Sequence, residues 1–75
     1  MAMQPGTEFV LHGVALVDGR ITMFADTRVK TETASRVVGS RRTGQTWPNT
    51  AAGMRAAIAE TARLNTAERD RLALA

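Results

Sequence analysis

EFVLHGVALVDGRITMFADTRV, Glu8 to Val29, is the stretch whose reading decides the fold. Two runs rich in β-branched and aromatic residues flank Asp18-Gly19. An Asp-Gly pair between such runs is a strong hairpin signal, because a tight primed turn needs positive φ at both central residues. A two-residue turn also sets the register. Val17 then faces Arg20, Leu16 faces Ile21, Val14 faces Met23, His12 faces Ala25 and Val10 faces Thr27.

That register sorts the side chains. One face carries Val10, His12, Val14 and Leu16 beside Ile21, Met23, Ala25 and Thr27, and is expected to form the core. The other carries Phe9, Leu11, Gly13, Ala15 and Val17 beside Arg20, Thr22, Phe24, Asp26, Arg28 and Lys30. Phe24 falls opposite Gly13, where an aromatic ring can cover the missing side chain. The first strand is apolar on both faces, whereas a half-exposed antiparallel strand should alternate. A partner is therefore expected on the second face, with a copy of the same chain as one candidate.

Downstream, SRVVGSRRTGQTWPNTAAGMRAAI runs from Ser35 to Ile58. Arg36-Val37-Val38 reads as a short strand, and Gly39 and Gly44 bracket SRRT as a flexible hairpin tip. Gln45-Thr46-Trp47 is a possible fourth strand. Pro48 ends the extended run, and Asn49 or Thr50 is a suitable N-cap for a helix over Ala51–Leu64. Met54, Ala57, Ile58, Thr61 and Leu64 form its apolar stripe. Gly53 weakens its first turn by about 1 kcal/mol relative to alanine. Asn65 suits a stop, with Thr66 capping a short second helix pinned by Leu72 and Leu74.

The 75 residues make one small domain: a flexible lead-in over residues 1–7, a sheet over 8–47 and a helical part over 50–75. Large aliphatic residues and phenylalanine number fifteen of 75, the lower edge of what a self-sufficient globule carries. No cysteine is present, so neither a disulfide nor a thiolate metal site can compensate. A homodimer that completes the core is expected. Cysteine usage fits a reducing compartment, MAMQPGTE lacks the features of a signal peptide, and no apolar run approaches a membrane span. A cytoplasmic protein without membrane contact is expected.

The net charge is +3, concentrated between Asp26 and Arg42. Arg28, Lys30, Arg36, Arg41 and Arg42 are the candidate phosphate contacts, since arginine offers bidentate donors and glycine lets the backbone approach. The Gly39–Gly44 loop lacks the Gly-Lys-Ser/Thr ending of a nucleotide-binding loop. Phe9, Leu11 and Phe24 are the candidate protein interface; in the plainer interpretation the two rings are core, covered by the stems of Arg28 and Lys30. Trp47 reads as an anchor for the helix. His12 is the single histidine and reads as a satisfied structural residue, and the carboxylates are scattered, so no catalysis, metal or cofactor is implied.

The expected class is α+β: an antiparallel sheet of three or four strands with a C-terminal helix and a short second helix on one face. The order of strands then helix is similar to that of small sheet-plus-helix DNA-binding modules, including those at the start of some tyrosine recombinases, although no motif is shared and fold does not establish function. Two functions follow from the residues. The first is a small accessory or regulatory protein that binds nucleic acid through an arginine-rich hairpin. The alternative is a protein-interaction module, a small inhibitor or adaptor, acting through the apolar sheet face or an edge strand.

Overall fold

The computed structural model describes residues 3–74. Its elements are β1 (Glu8–Val17), β2 (Arg20–Lys30), β3 (Ser35–Pro48) and α1 (Ala51–Leu74). The strands form an antiparallel meander in the order β1-β2-β3, and the helix follows, an α+β fold.

Asp18 and Gly19 join β1 to β2 with φ of 52° and 75°, and Val17 pairs with Arg20. The ladder then runs without a slip through Leu16–Ile21, Val14–Met23 and His12–Ala25 to Glu8–Val29. It extends past the strand ends: Gly6 N–H donates to Lys30 O at 2.8 Å, and Lys30 N–H to Thr7 O at 2.9 Å. The lead-in expected over residues 1–7 lies partly outside the described residues.

The second turn spans Thr31–Ala34, where Ala34 N–H donates to Thr31 Oγ1 and Thr31 N–H to Ala34 O. From Ser35 the chain runs as one strand to Pro48, so the expected hairpin tip at Gly39–Gly44 and the separate fourth strand are not present. The physical reason lies in β2. Its ladder binds β3 along most of its length, and two irregularities absorb the surplus residues. Between Thr22 and Phe24, β3 advances from Thr46 to Arg42; between Thr27 and Arg28 it advances from Gly39 to Val37. These are bulges, which hold extra residues without leaving the sheet. Gly44, at φ 94°, sits within the first.

The short second helix is also absent. α1 is a single helix of 24 residues that passes through Asn65 and Thr66. At 1.5 Å per residue it is about 36 Å long, close to the molecule's longest extent of 38 Å. Thr50 is its N-cap: Gly53 N–H donates to Thr50 Oγ1 at 3.0 Å, and Met54 N–H to Thr50 O at 2.9 Å.

The helix covers the face of the sheet that carries Ile21, Met23 and Ala25, which are buried with Ala57 and Gly53. Met54 and Ile58, expected on the packed stripe, turn outward, because Gly53 and Ala57 let the backbone of α1 lie closest to the strands. The apolar core among the described residues is thus small, and Leu16 remains 57% exposed.

Asn65 did not end the helix because its side chain has a lateral role. In a two-residue hairpin the odd-numbered residues of β1 bond to β2, so Val10, His12, Val14 and Leu16 direct their backbone groups to the outer edge. Asn65 Oδ1 accepts from His12 N–H at 2.8 Å, and Asn65 Nδ2 donates to His12 O at 3.1 Å. One turn on, Glu68 Oε2 accepts from Val10 N–H at 2.7 Å. Arg71 in turn donates to both oxygens of Glu68, at 2.6 and 2.9 Å. The helix caps half of an edge strand with side-chain groups, one of the ways proteins cover an open sheet edge.

Arg71, and then the Val10 N–H, hold the Glu68 carboxyl below its ordinary range against the opposing effect of burial. A carboxylate depressed in the folded state stabilises above its unfolded value and loses that contribution as pH falls through the folded one. Thermal stability should therefore fall on acidification below about pH 4.3, the ordinary glutamate value. Glu68→Gln should flatten that part of the profile, and an unchanged acid limb in melting curves would show that Glu68 does not set it.

Candidate nucleic-acid interface

The sheet face turned away from α1 is the candidate site. Directly paired residues share a face, so this surface carries Arg20, Phe24, Arg28 and Lys30 from β2, and Ser35, Val37, Ser40, Arg42 and Thr46 from β3. β1 adds Phe9, Leu11 and Val17. Arg20, Arg28, Lys30 and Arg42 face two carboxylates, Asp26 on β2 and Asp18 at the hairpin turn, which leaves two positive charges of the chain's three. The remaining six cations and five carboxylates nearly cancel.

The four cations differ in what already occupies them. Arg28 Nε donates to Ser35 Oγ at 2.8 Å, and Lys30 Nζ bonds to Thr31 O. Asp26 is engaged by Ser40 Oγ at 2.6 Å. Arg20 is held over the sheet by Nε and Nη2 bonds of 3.3 and 3.2 Å to Thr46 Oγ1. Arg42 is exposed beside Phe24. Arg20 and Arg42 line one open groove of about 330 Å³, floored by Thr22 and flanked by Gly44 and Asp18. Thr22 is buried at the floor of that groove.

Of the five cations singled out in the sequence, Arg28, Lys30 and Arg42 share this face. Arg36 and Arg41 do not: they pair with Val29 and Ala25 and so belong to the helix side of the sheet. No loop gathers Arg41 and Arg42 at a tip, since consecutive residues of a strand point to opposite faces. Arg20 also lies on this face. The hairpin register sets it on the same face as Thr22 and Phe24. Phe9, Leu11 and Phe24 do share the open face; the two rings are half-buried and Leu11 is 42% exposed.

Other chemistry has little support in the arrangement. Among the described residues no three His, Asp or Glu side chains come together as metal ligands. His12 lies beside Asn65 and Glu68 on the helix side, and its Nδ1 is buried without a hydrogen-bond partner, which departs from the expectation of a satisfied structural histidine. Among the described residues no helix is long and apolar enough to cross a membrane. Comparison with known protein families, with curated proteins and with solved structures found no match.

Proposed function

We propose that the chain binds nucleic acid through the open sheet face, with Arg20 and Arg42 as the main phosphate contacts and Arg28 and Lys30 flanking them. The observation that carries this reading is that four cations share the one face the helix leaves uncovered and outnumber its carboxylates, Asp18 and Asp26, by two. Neighbouring strands lie about 4.8 Å apart. A B-DNA major groove is about 12 Å wide and admits a two-stranded ribbon, and all four cations lie on the neighbouring pair β2 and β3. Phe24 beside Arg42 offers an apolar surface between the charges.

The test is fluorescence anisotropy with short duplex and single-stranded DNA over a range of salt. Replacing Arg20 and Arg42 together with alanine should weaken binding on the order of 100-fold, at about 1.5 kcal/mol for each charge-assisted contact. It should also lower the slope of log affinity against log salt by about 2. Replacing Arg36 and Arg41 should have the smaller effect. Equal losses from both pairs would indicate unplaced charge attraction, and absent or salt-insensitive binding would remove the proposal.

A second reading draws on Leu11 and Val37, 42% and 47% exposed on the same face. There the face is a protein-docking surface for an inhibitor or adaptor. Phe24→Asp would then abolish association while the arginines stay dispensable.

A further inference from the structure

The shoulder between α1 and β1, on the opposite side from the basic face, poses a separate problem. Val14 of β1 and Ile58, Thr61, Ala62 and Asn65 of α1 enclose an open groove of about 290 Å³. Ile58 is 56% exposed at its rim, Met54 lies one turn before it, and Leu16 lies two residues beyond Val14 on the same strand face. Ile58 and Leu16 are more than half exposed, and Met54 is 36% exposed. Along β1 the capping also stops here: Asn65 and Glu68 reach His12 and Val10, while the outward backbone groups of Val14 and Leu16 have no such side-chain cap among the described residues.

The exposed area indicates what is missing. A compact monomer of 8.1 kDa exposes about 4,500 Å² by the usual scaling of surface with mass. This chain exposes 5097 Å², about 600 Å² more than that scaling gives. A standard interface takes about 800 Å² from each partner. The surplus is of the size that one interface would remove.

We propose that a second copy of this chain covers the shoulder, giving a two-fold dimer centred on Ile58. Three features favour a copy over another partner. The surplus area matches one interface per chain. Met54, Ile58 and Ala62 are spaced by four residues and form one ridge on α1, which can pack against the same ridge in a second helix at about −50°. Ala62 keeps that ridge low enough for close approach, and such a patch is self-complementary, as an isologous contact requires. The groove beside it then receives an apolar side chain from the other copy. Because the shoulder lies on the helix side, both basic faces remain open in the dimer. This inference stands apart from nucleic-acid binding and does not depend on it.

Sedimentation equilibrium of the purified chain across the micromolar range, without nucleic acid, tests the dimer. The expected mass is twice the 8.1 kDa of the chain. Ile58→Glu should weaken self-association about 100-fold, since it buries an uncompensated charge at the centre of the contact. As Ile58 is half exposed, its circular dichroism should stay native; should that variant unfold, Leu16→Lys serves the same purpose. Val38→Glu on β3 is the control and should remain dimeric. A monomeric wild-type chain overturns the proposal, as does a dimer unaffected by a folded Ile58→Glu or Leu16→Lys variant. Dissociation of Val38→Glu alone would move the contact to the β3 edge, and a shoulder that associates only with a different protein also overturns it.

Discussion

Gly53→Ala should lower the melting temperature by about 10 °C, although alanine is the better helix former. From helix propensity alone the substitution gains about 1 kcal/mol. The surroundings reverse the sign. A Cβ at Gly53 would lie 2.0 Å from the carbonyl oxygen of Pro48 and 3.1 Å from its carbon. Both are backbone atoms, so no side chain can rotate away. That carbonyl is fixed by Thr50 N–H at 2.8 Å, and Thr50 also caps Gly53 N–H. Relieving the clash must move the start of α1 off Pro48, which loosens the cap and the contact of Ala57 with the sheet. Overpacking of this kind costs about 1–3 kcal/mol, and a lost N-cap about 1 kcal/mol. The net is a loss of about 2 kcal/mol, and for a domain of this size each kcal/mol shifts the midpoint by about 4–8 °C. Ala56→Gly, at an exposed position of the same helix, should cost about 1 kcal/mol. A melting temperature for Gly53→Ala at or above wild type would show that the close approach of Pro48 to α1 is not present in solution.

Gly53 also shows where the sequence stops being legible. Its penalty for the helix was visible in the sequence, but the reason for glycine there was not, since it comes from a carbonyl that folds back from Pro48. Local patterns were readable wherever one signal set several residues. The two residues between Val17 and Arg20 fixed ten cross-strand pairs, from Val17–Arg20 to Glu8–Val29. Thr50 was readable as a cap for the same reason. What failed was punctuation whose meaning depends on distant partners. Gly39 and Gly44 look like a turn until β2 is laid alongside and bulges take up the extra residues. A tip at Gly39–Gly44 would hold Arg41 with Arg42, whereas the strand separates them onto opposite faces. Of the stripe expected on α1, Ala57 is buried and Thr61 and Leu64 are half-buried, while Met54 and Ile58 turn outward, because two small residues, Gly53 and Ala57, set the contact with the sheet.

Asn65 is the other residue whose role came from far away, and its removal should be costly. Asn65→Ala should destabilise the protein by about 2 kcal/mol and release the His12 amide to exchange. The side chain presents to the edge of β1 the acceptor and donor that a neighbouring strand would supply, 53 residues away in sequence. Without it, the half-buried N–H and C=O of His12 lose both partners, at about 1 kcal/mol for each bond and more where water cannot enter. Alanine returns about 0.6 kcal/mol through better helix propensity, too little to change the sign. Asn65→Asp separates the two bonds: its carboxylate can still accept from His12 N–H but meets the His12 carbonyl with no proton to offer, so it should not restore wild-type stability. Hydrogen exchange gives the direct measurement, because β1 carries its own reference. Val14 and Leu16 lie on the same outer edge without a side-chain cap, so at concentrations below self-association their amides should exchange faster than those of Val10 and His12 in the wild-type protein. In Asn65→Ala the His12 amide should join the fast group, while Val10, still bonded to Glu68, remains slower. Equal exchange at His12 and Val14 in the wild type would mean that the helix does not cap the strand.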